Sequence, residues 1–466
     1  LTDSALAIAA AVKNRETTAL EVTQRALERI AARDGEINTF TTVTAEAARR
    51  DAAAVDATMA RGDDPGPLAG APFAAKNLFD IAGMVTVAGS VIEQRRAPAA
   101  TDAFAVRQLK AAGAICLGAL NMDEYAYGFT TENSHYGPTR NPHDTSRIAG
   151  GSSGGSGAAV AAGLVPISLG TDTNGSIRVP ASLTGIYGIK PTYGRLSRGG
   201  ALLFVPSLDH VGPFARTVAD LAAAYDALLG HDPQDRAQAD KPMDFVSATL
   251  GQGIEGLRIA RLGGHFVRNG LAVVQRAAAQ VATALGVSAE VELPSAVVAR
   301  AAAYLITAAE GAQLRLPDLR SQPERFEPHT IDRLLAGALI PAQWVLHAQR
   351  LRALFRDEAK ALFDQWDILI APATPTPATP IGQDLLEIDG VSLPLRPSFG
   401  VYTQPLSCIG LPVLAVPLSG LDPANALPIG VQLIAAPWAE EKLFRVAAAL
   451  EAAGVCAAPV APAFRM

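Results

Sequence analysis

The stretch Gly150-Gly151-Ser152-Ser153-Gly154-Gly155-Ser156-Gly157 decides how this chain is read. A second glycine–serine element, Gly170-Thr171-Asp172-Thr173-Asn174-Gly175-Ser176-Ile177-Arg178, follows within one strand–helix unit. The residues between them fit such a unit. Gly157 to Gly163 is small and alanine-rich, as a buried helix is, and Val165 to Leu169 is an apolar run of strand length. Upstream, Pro72-Phe73-Ala74-Ala75-Lys76-Asn77 sets a lysine at the end of another short apolar run.

A serine hydroxyl is a poor nucleophile and needs an adjacent base. Lysine serves only when neutral, and burial lowers its pKa from about 10.4 to roughly 7–8. Phe73, Ala74, Ala75, Leu78 and Phe79 supply apolar surroundings that disfavour the ammonium form of Lys76. A serine between the lysine and the nucleophile can relay the proton, and flanking glycines allow close backbone approach. In the second element the N–H groups of Thr173, Asn174, Gly175 and Ser176 can converge on a tetrahedral oxyanion, each such donor contributing about 3–4 kcal/mol. Taken singly these features are ordinary: a lysine after a strand is usually at the surface, and a Gly/Ser loop is usually a flexible turn. Neither of the two common glycine-rich phosphate motifs is present. Together, in this order and spacing, the three elements favour acyl transfer without histidine or metal.

Outward from this centre, residues 3–33 have the apolar spacing of one or two amphipathic helices, and 44–61 continue as an alanine-rich helix. Ala71 to Ala75 and Ala114 to Leu117 are expected strands. Thr101 to Ala112 is an expected helix, capped by Thr101 or Asp102. Residues 121–150 form a long irregular segment of the kind that carries function. Helices are expected at 217–229, 271–285, 298–316, 341–366 and 438–453, and strands at 257–262, 368–371, 413–417 and 430–435. This alternation predicts an α/β fold: one large domain over 1–466, a central mixed sheet with helices on both faces, N-terminal helices in 1–61 and a helical insertion or cap in 295–365.

The 466 residues are 49% hydrophobic and 18% charged, and the net charge of -6 gives no electrostatic case for nucleic acid. Cys116, Cys408 and Cys456 are odd in number and widely spaced, so buried free thiols are expected, with no disulfide framework and no metal site. No run reaches the ~18 apolar residues of a membrane span. The opening Leu1-Thr2-Asp3-Ser4 has no basic segment or cleavage site, and a cytoplasmic location without membrane attachment is expected.

At these motifs the chain resembles the amidase signature family. The matching text is Leu68-Ala69-Gly70 to Lys76, residues 150–166, residues 169–195, and the C-terminal segments around Pro372 to Ala378, Gly410 to Pro417 and Leu427 to Pro437. The resemblance implies Ser176 as the acylated nucleophile, Ser152 as the relay, Lys76 as the base, and the N–H groups of 173–176 as the oxyanion hole. Asp172 and Arg178 would brace the loop, and no cofactor is implied. Asn174 stands where glycine is common in the family. Asn tolerates a left-handed backbone, and its side chain would reach the substrate.

Within the family, residues 122–124, 131–134 and 137–142 are similar to the glutaminase subunit of the tRNA-dependent amidotransferase. There, an arginine holds the substrate carboxylate, and Arg333 resembles it. An aspartate holds the amine in that protein, and Gly400 falls at its position. A carboxylate partner without an ammonium partner implies a carboxylated substrate lacking an amine. Asn174-Gly175-Ser176, residues 121–129 and residues 434–438 are similar to members that release ammonia from a small carboxylated ureide in cyanuric acid breakdown. The same likeness implies a homodimer of the large chain, with a small partner resembling the third subunit of the amidotransferase. The N-terminal helices would either dock that partner or pack as ordinary core, and Arg333 would either bind substrate or pair on a helix surface. Tyr125, Tyr127, His135 and Gln404 are further pocket candidates. Arg350, Arg352 and Arg356 suit a solvated helix face. A glutamine-dependent transferase component and a non-catalytic scaffold are the rival readings.

Overall fold

A computed structural model describes residues 4–421 and 427–465. Its centre is a sheet of eleven strands. In spatial order these are Phe40–Val43, Ile115–Leu120, Pro72–Lys76, Ile167–Asp172, His210–Ala215, Tyr187–Lys190, Val413–Leu418, Ile429–Ala435, Ile368–Pro372, Ile259–Leu262 and Glu290–Val291. The sheet is mixed. Pro72–Lys76 runs parallel to both its neighbours, the strands from 167 to 435 pair antiparallel, and the far edge is parallel again. Every residue of Pro72–Lys76, Ile115–Leu120, Ile167–Asp172, His210–Ala215, Val413–Leu418 and Ile429–Ala435 is buried. Successive strand side chains point to opposite faces, so both faces are covered, as the expected helical layers require.

The N-terminal segment forms two helices, Ala5–Lys13 and Ala19–Arg33. Residue 3, at the start of the expected helical stretch, lies outside the described residues. Thr18 and Glu21 form a capping box on the second helix. The apolar faces of both helices, with Ile8, Val12, Val22 and Ile30, pack into the main core. That face is therefore taken up internally, and the outer sides left exposed are mostly polar, with Leu20 an exposed apolar residue on the second helix. The helix expected from Thr101 begins at Phe104 after Ala103, with no side-chain cap. Asp102 instead accepts a hydrogen bond from Ala82 N at 2.8 Å. Residues 296–363 form three helices, Ala296–Ser321, Pro328–Ala338 and Ala342–Phe363. All three cysteines are buried and free. Among the described residues no helix is long and apolar enough to cross a membrane.

Candidate active site

Register sets the first contact. Pro72–Lys76 and Ile167–Asp172 are parallel neighbours with Ala75 opposite Leu169, so Lys76 and Thr171 emerge together at the C-terminal ends of their strands. Lys76 is fully buried. Its Nζ lies 2.7 Å from Ser152 Oγ and 2.9 Å from Thr171 Oγ1. Burial pushes its pKa down to about 7, against the opposing pull of Asp123, Asp209 and Asp172. Half of the population is then neutral near neutral pH, as a general base requires.

Ser152 follows a cis Gly151–Ser152 peptide and precedes the buried helix Gly154–Ala161. Gly151 is obligatory there, because a Cβ would come within 2.1 Å of Asp123 Oδ2 and 2.6 Å of Thr130 N. Asp123 is itself buried, its carboxyl pushed up to about 6 by burial, and it accepts Thr131 N at 3.0 Å.

Ser176 sits between the strand Ile167–Asp172 and the helix Arg178–Thr184. Asp172 and Arg178 form a fully buried ion pair, Nε to Oδ2 2.9 Å and Nη2 to Oδ1 3.0 Å. Arg178 also donates to Gln432 Oε1 at 2.7 Å and Ser407 Oγ at 2.5 Å. Burial alone would raise the Asp172 carboxyl, but the guanidinium holds it well below the usual carboxylate range. Asp172 also accepts the N–H of Gly175 at 2.7 Å and of Ile177 at 3.2 Å. This corrects one expectation: the Gly175 N–H is engaged by Asp172. The N–H groups of Thr173, Asn174 and Ser176 carry no partner among the described residues. A second correction concerns the backbone. The left-handed position is Gly175, at φ +138°, and Asn174 has an ordinary φ. A Cβ at Gly175 would come within 2.3 Å of Thr403 Oγ1.

A narrow pocket opens at Ser176. Thr173, Asn174, Tyr127, Arg333 and Gln404 line it, with Phe129, Phe204, Tyr304, Thr307 and Pro397. No hydrogen bond joins Ser176 Oγ to Ser152 Oγ among the described residues. Arg333 is anchored by Nε to His329 O at 2.8 Å and by Nη2 to Tyr127 O at 2.5 Å, with its guanidinium 4.0 Å from the centre of the Tyr127 ring. Nη1 is left without a protein partner among the described residues. Gln404 Oε1 accepts Arg300 Nε at 2.9 Å, which leaves its amide N–H₂ for the pocket.

Two pocket candidates are placed elsewhere. Tyr125 is buried behind the wall, with its hydroxyl on Glu93 Oε1 at 3.1 Å and Arg315 4.2 Å over its ring. His135 stands 3.3 Å from Glu124 Oε1, also outside the pocket. Tyr125 and Ala126 have positive φ, 51° and 60°, and the pocket is lined from Ala126 to Phe129, not by Tyr125. Sequence reasoning missed Thr171, Tyr304 and Thr307. The signal for the last two is the spacing Arg300, Tyr304, Thr307, Gly311, one face of the helix Ala296–Ser321.

The structure thus brings a buried lysine beside one serine and sets a second serine at the pocket, next to backbone N–H groups without partners among the described residues. The amidase family model matches residues 21–444, and the chain belongs to that family and is an amide hydrolase. It is 54% identical over 445 residues to the AtzE subunit of 1-carboxybiuret hydrolase from Pseudomonas sp. (strain ADP), covering 95% of this chain and 97% of that one. It is 41% identical over 482 residues to the A subunit of glutamyl-tRNA(Gln) amidotransferase from Acidothermus cellulolyticus, covering 97% and 94%. A solved, inhibitor-bound structure described as a vestigial protein complex of an s-triazine catabolic enzyme superposes with a TM-score of 0.96. It is 52% identical and covers 98% of this chain and 99% of that one.

Proposed function

We propose that this amidase releases ammonia from a small carboxylated ureide, 1-carboxybiuret, in s-triazine breakdown. The observation that carries this reading is the pairing of Arg333 with Gly400. Arg333 lines the pocket with a free guanidinium nitrogen. At Gly400, where the glutaminase subunits place an acidic side chain, a Cβ would lie 2.7 Å from Gln404 Cδ and 2.8 Å from Phe129 Cζ. Among the described residues that line it, the pocket thus offers a cation for a carboxylate and no carboxylate for an ammonium. The 54% identity to a component of 1-carboxybiuret hydrolase supports the same substrate.

In the proposed reaction Ser176 Oγ attacks the scissile carbonyl. Its proton passes to Ser152 Oγ, and the Ser152 proton to neutral Lys76 Nζ. The oxyanion rests on the N–H groups of Thr173, Asn174 and Ser176. Collapse breaks the C–N bond, the proton returns to the departing nitrogen, and ammonia leaves. Water then attacks the acyl-enzyme by the same relay, freeing Ser176. No cofactor takes part. The helices of 296–363 act as a cap that contributes Tyr304, Thr307 and Arg333 to the pocket. By likeness to the s-triazine enzyme complex, we also propose a homodimer of this chain in the cytoplasm, joined by a small partner protein.

The test is ammonia release from 1-carboxybiuret generated in situ from cyanuric acid, from biuret, from malonamate and from glutamine. Serine-dependent release from 1-carboxybiuret with little from glutamine is expected. Arg333→Gln should raise KM for the carboxylated substrate roughly 10- to 100-fold and leave biuret nearly unchanged. Full activity of Ser176→Ala overturns the acyl-enzyme, and preferred turnover of glutamine moves the chain to the transferase subunits.

A further inference from the structure

Asn174 carries a buried polar atom that the proposed chemistry leaves unexplained. Its side-chain Nδ2 donates to Thr307 Oγ1 at 2.8 Å, and its backbone carbonyl accepts Thr403 Oγ1 at 2.6 Å. Both anchors fix the residue, one from the helix Ala296–Ser321 and one from the segment before the helix Gln404–Cys408. Asn174 Oδ1 is then left buried with no donor among the described residues. Buried acceptors are almost always satisfied, and an orphan costs free energy until a partner arrives. Asn174, Thr307 and Ser176 line the same narrow pocket, so the missing donor belongs to whatever occupies it.

The chemistry of that donor follows from position. Asn174 lies two residues before Ser176, and its N–H is one of the three free for the oxyanion. Its side chain therefore stands beside the scissile carbonyl. A ureide and a carbon-chain amide differ at the atom flanking that carbonyl on the acyl side: N–H in the ureide, CH₂ in the amide. We propose that Asn174 Oδ1, held in place by Thr307, accepts the flanking N–H and makes the pocket selective for ureides over isosteric carbon-chain amides. This deepens the substrate assignment above and rests on Ser176 marking the position of the scissile carbonyl. A CH₂ at that position leaves Oδ1 unpaired, and sites that hydrogen-bond an N–H reject analogues lacking it far better than apolar pockets discriminate size.

Ureidoformate and malonamate are the probes, because they share a carboxylate and a terminal amide and differ only in N–H against CH₂. The readout is the ratio of their kcat/KM values. For a probe that is not turned over, its inhibition constant against 1-carboxybiuret replaces kcat/KM. Asn174→Gly keeps the backbone N–H and should lower the ureide preference roughly 10- to 100-fold. Thr307→Val leaves Asn174 in place but unheld and should lower it in the same direction by less. Thermal unfolding of both variants checks that they fold. An unchanged ratio in a folded Asn174→Gly protein overturns the inference, including the outcome in which both substrates slow equally because the amide meets the leaving nitrogen. Retained activity in Ser176→Ala would instead overturn the acyl-enzyme reading and with it the position assigned to the scissile carbonyl, whereas an unchanged ratio with Ser176→Ala inactive overturns this inference alone.

Discussion

A lysine buried at the end of a strand must give up its proton before it can accept one. Burial brings Lys76 to about 7 even though Asp123, Asp209 and Asp172 all favour its charged form. kcat/KM should therefore rise with pH along an acid limb centred near 7. Asp123→Asn removes the largest of these anionic influences, so the Lys76 pKa falls and the limb moves to lower pH. A limb unmoved by Asp123→Asn would assign it to another group. Stability also rises with pH, but over a higher window. Below about 7 the buried ammonium destabilises the native state in full. Between 7 and about 10.4 the unfolded chain holds a proton that the native chain lacks, so stability rises with pH. Lys76→Met should be inactive yet more stable than the parent at pH 6–7, on the order of 1–4 kcal/mol. The gap should narrow toward pH 10, as read by urea unfolding across pH.

The loop 170–178 is held as an element by one ion pair. Asp172 reaches Gly175 N, Ile177 N and Arg178, and Arg178 reaches the strand Ile429–Ala435 through Gln432. Because the Asp172 carboxyl lies below its unfolded value of about 3.9, its contribution is present above that pH and is lost only as pH falls through the folded value. Arg178→Met strands a buried carboxylate and should cost about 3–5 kcal/mol in urea unfolding at pH 7. A loss under 1 kcal/mol would mean that water reaches Asp172. The elements most visible in the sequence are those whose pattern and burial agree, such as Pro72–Lys76 and Ala45–Arg61. The strand His210–Ala215 is not visible, because Gly212 and Pro213 argue against a central strand. The structure accommodates both. Pairing with Tyr187–Lys190 covers only Phe214 and Ala215, and Gly212 lies where a Cβ would come within 2.0 Å of Ile189 O. In the same way the motif residues Lys76, Ser152 and Ser176 stand out locally. Thr307 reaches Asn174 from 133 residues away, and no local signal carries such a contact.

Across the whole molecule, long-range polar contacts decide which segments join the core. The first helix, Ala5–Lys13, is short and would be marginal alone. It is fixed at its N-terminus by Asp220, which accepts Ala5 N at 2.8 Å and Leu6 N at 3.0 Å from the helix Val218–Leu228. A carboxylate there satisfies two otherwise unpaired N–H groups and faces the positive end of the helix dipole. Beneath it, Ile8 and Val12 enter the same core cluster as the strand that carries Lys76. The helix thus joins the main core but contributes nothing to the pocket. Asp220→Ala removes the anchor and leaves the apolar contacts in place. It should lower stability by about 1–2 kcal/mol and speed hydrogen exchange chiefly in residues 5–13, with kcat/KM unchanged at 25 °C. Faster exchange spread evenly over the sheet would instead show that the N-terminal helix opens only with the whole fold, and that its anchoring is not local.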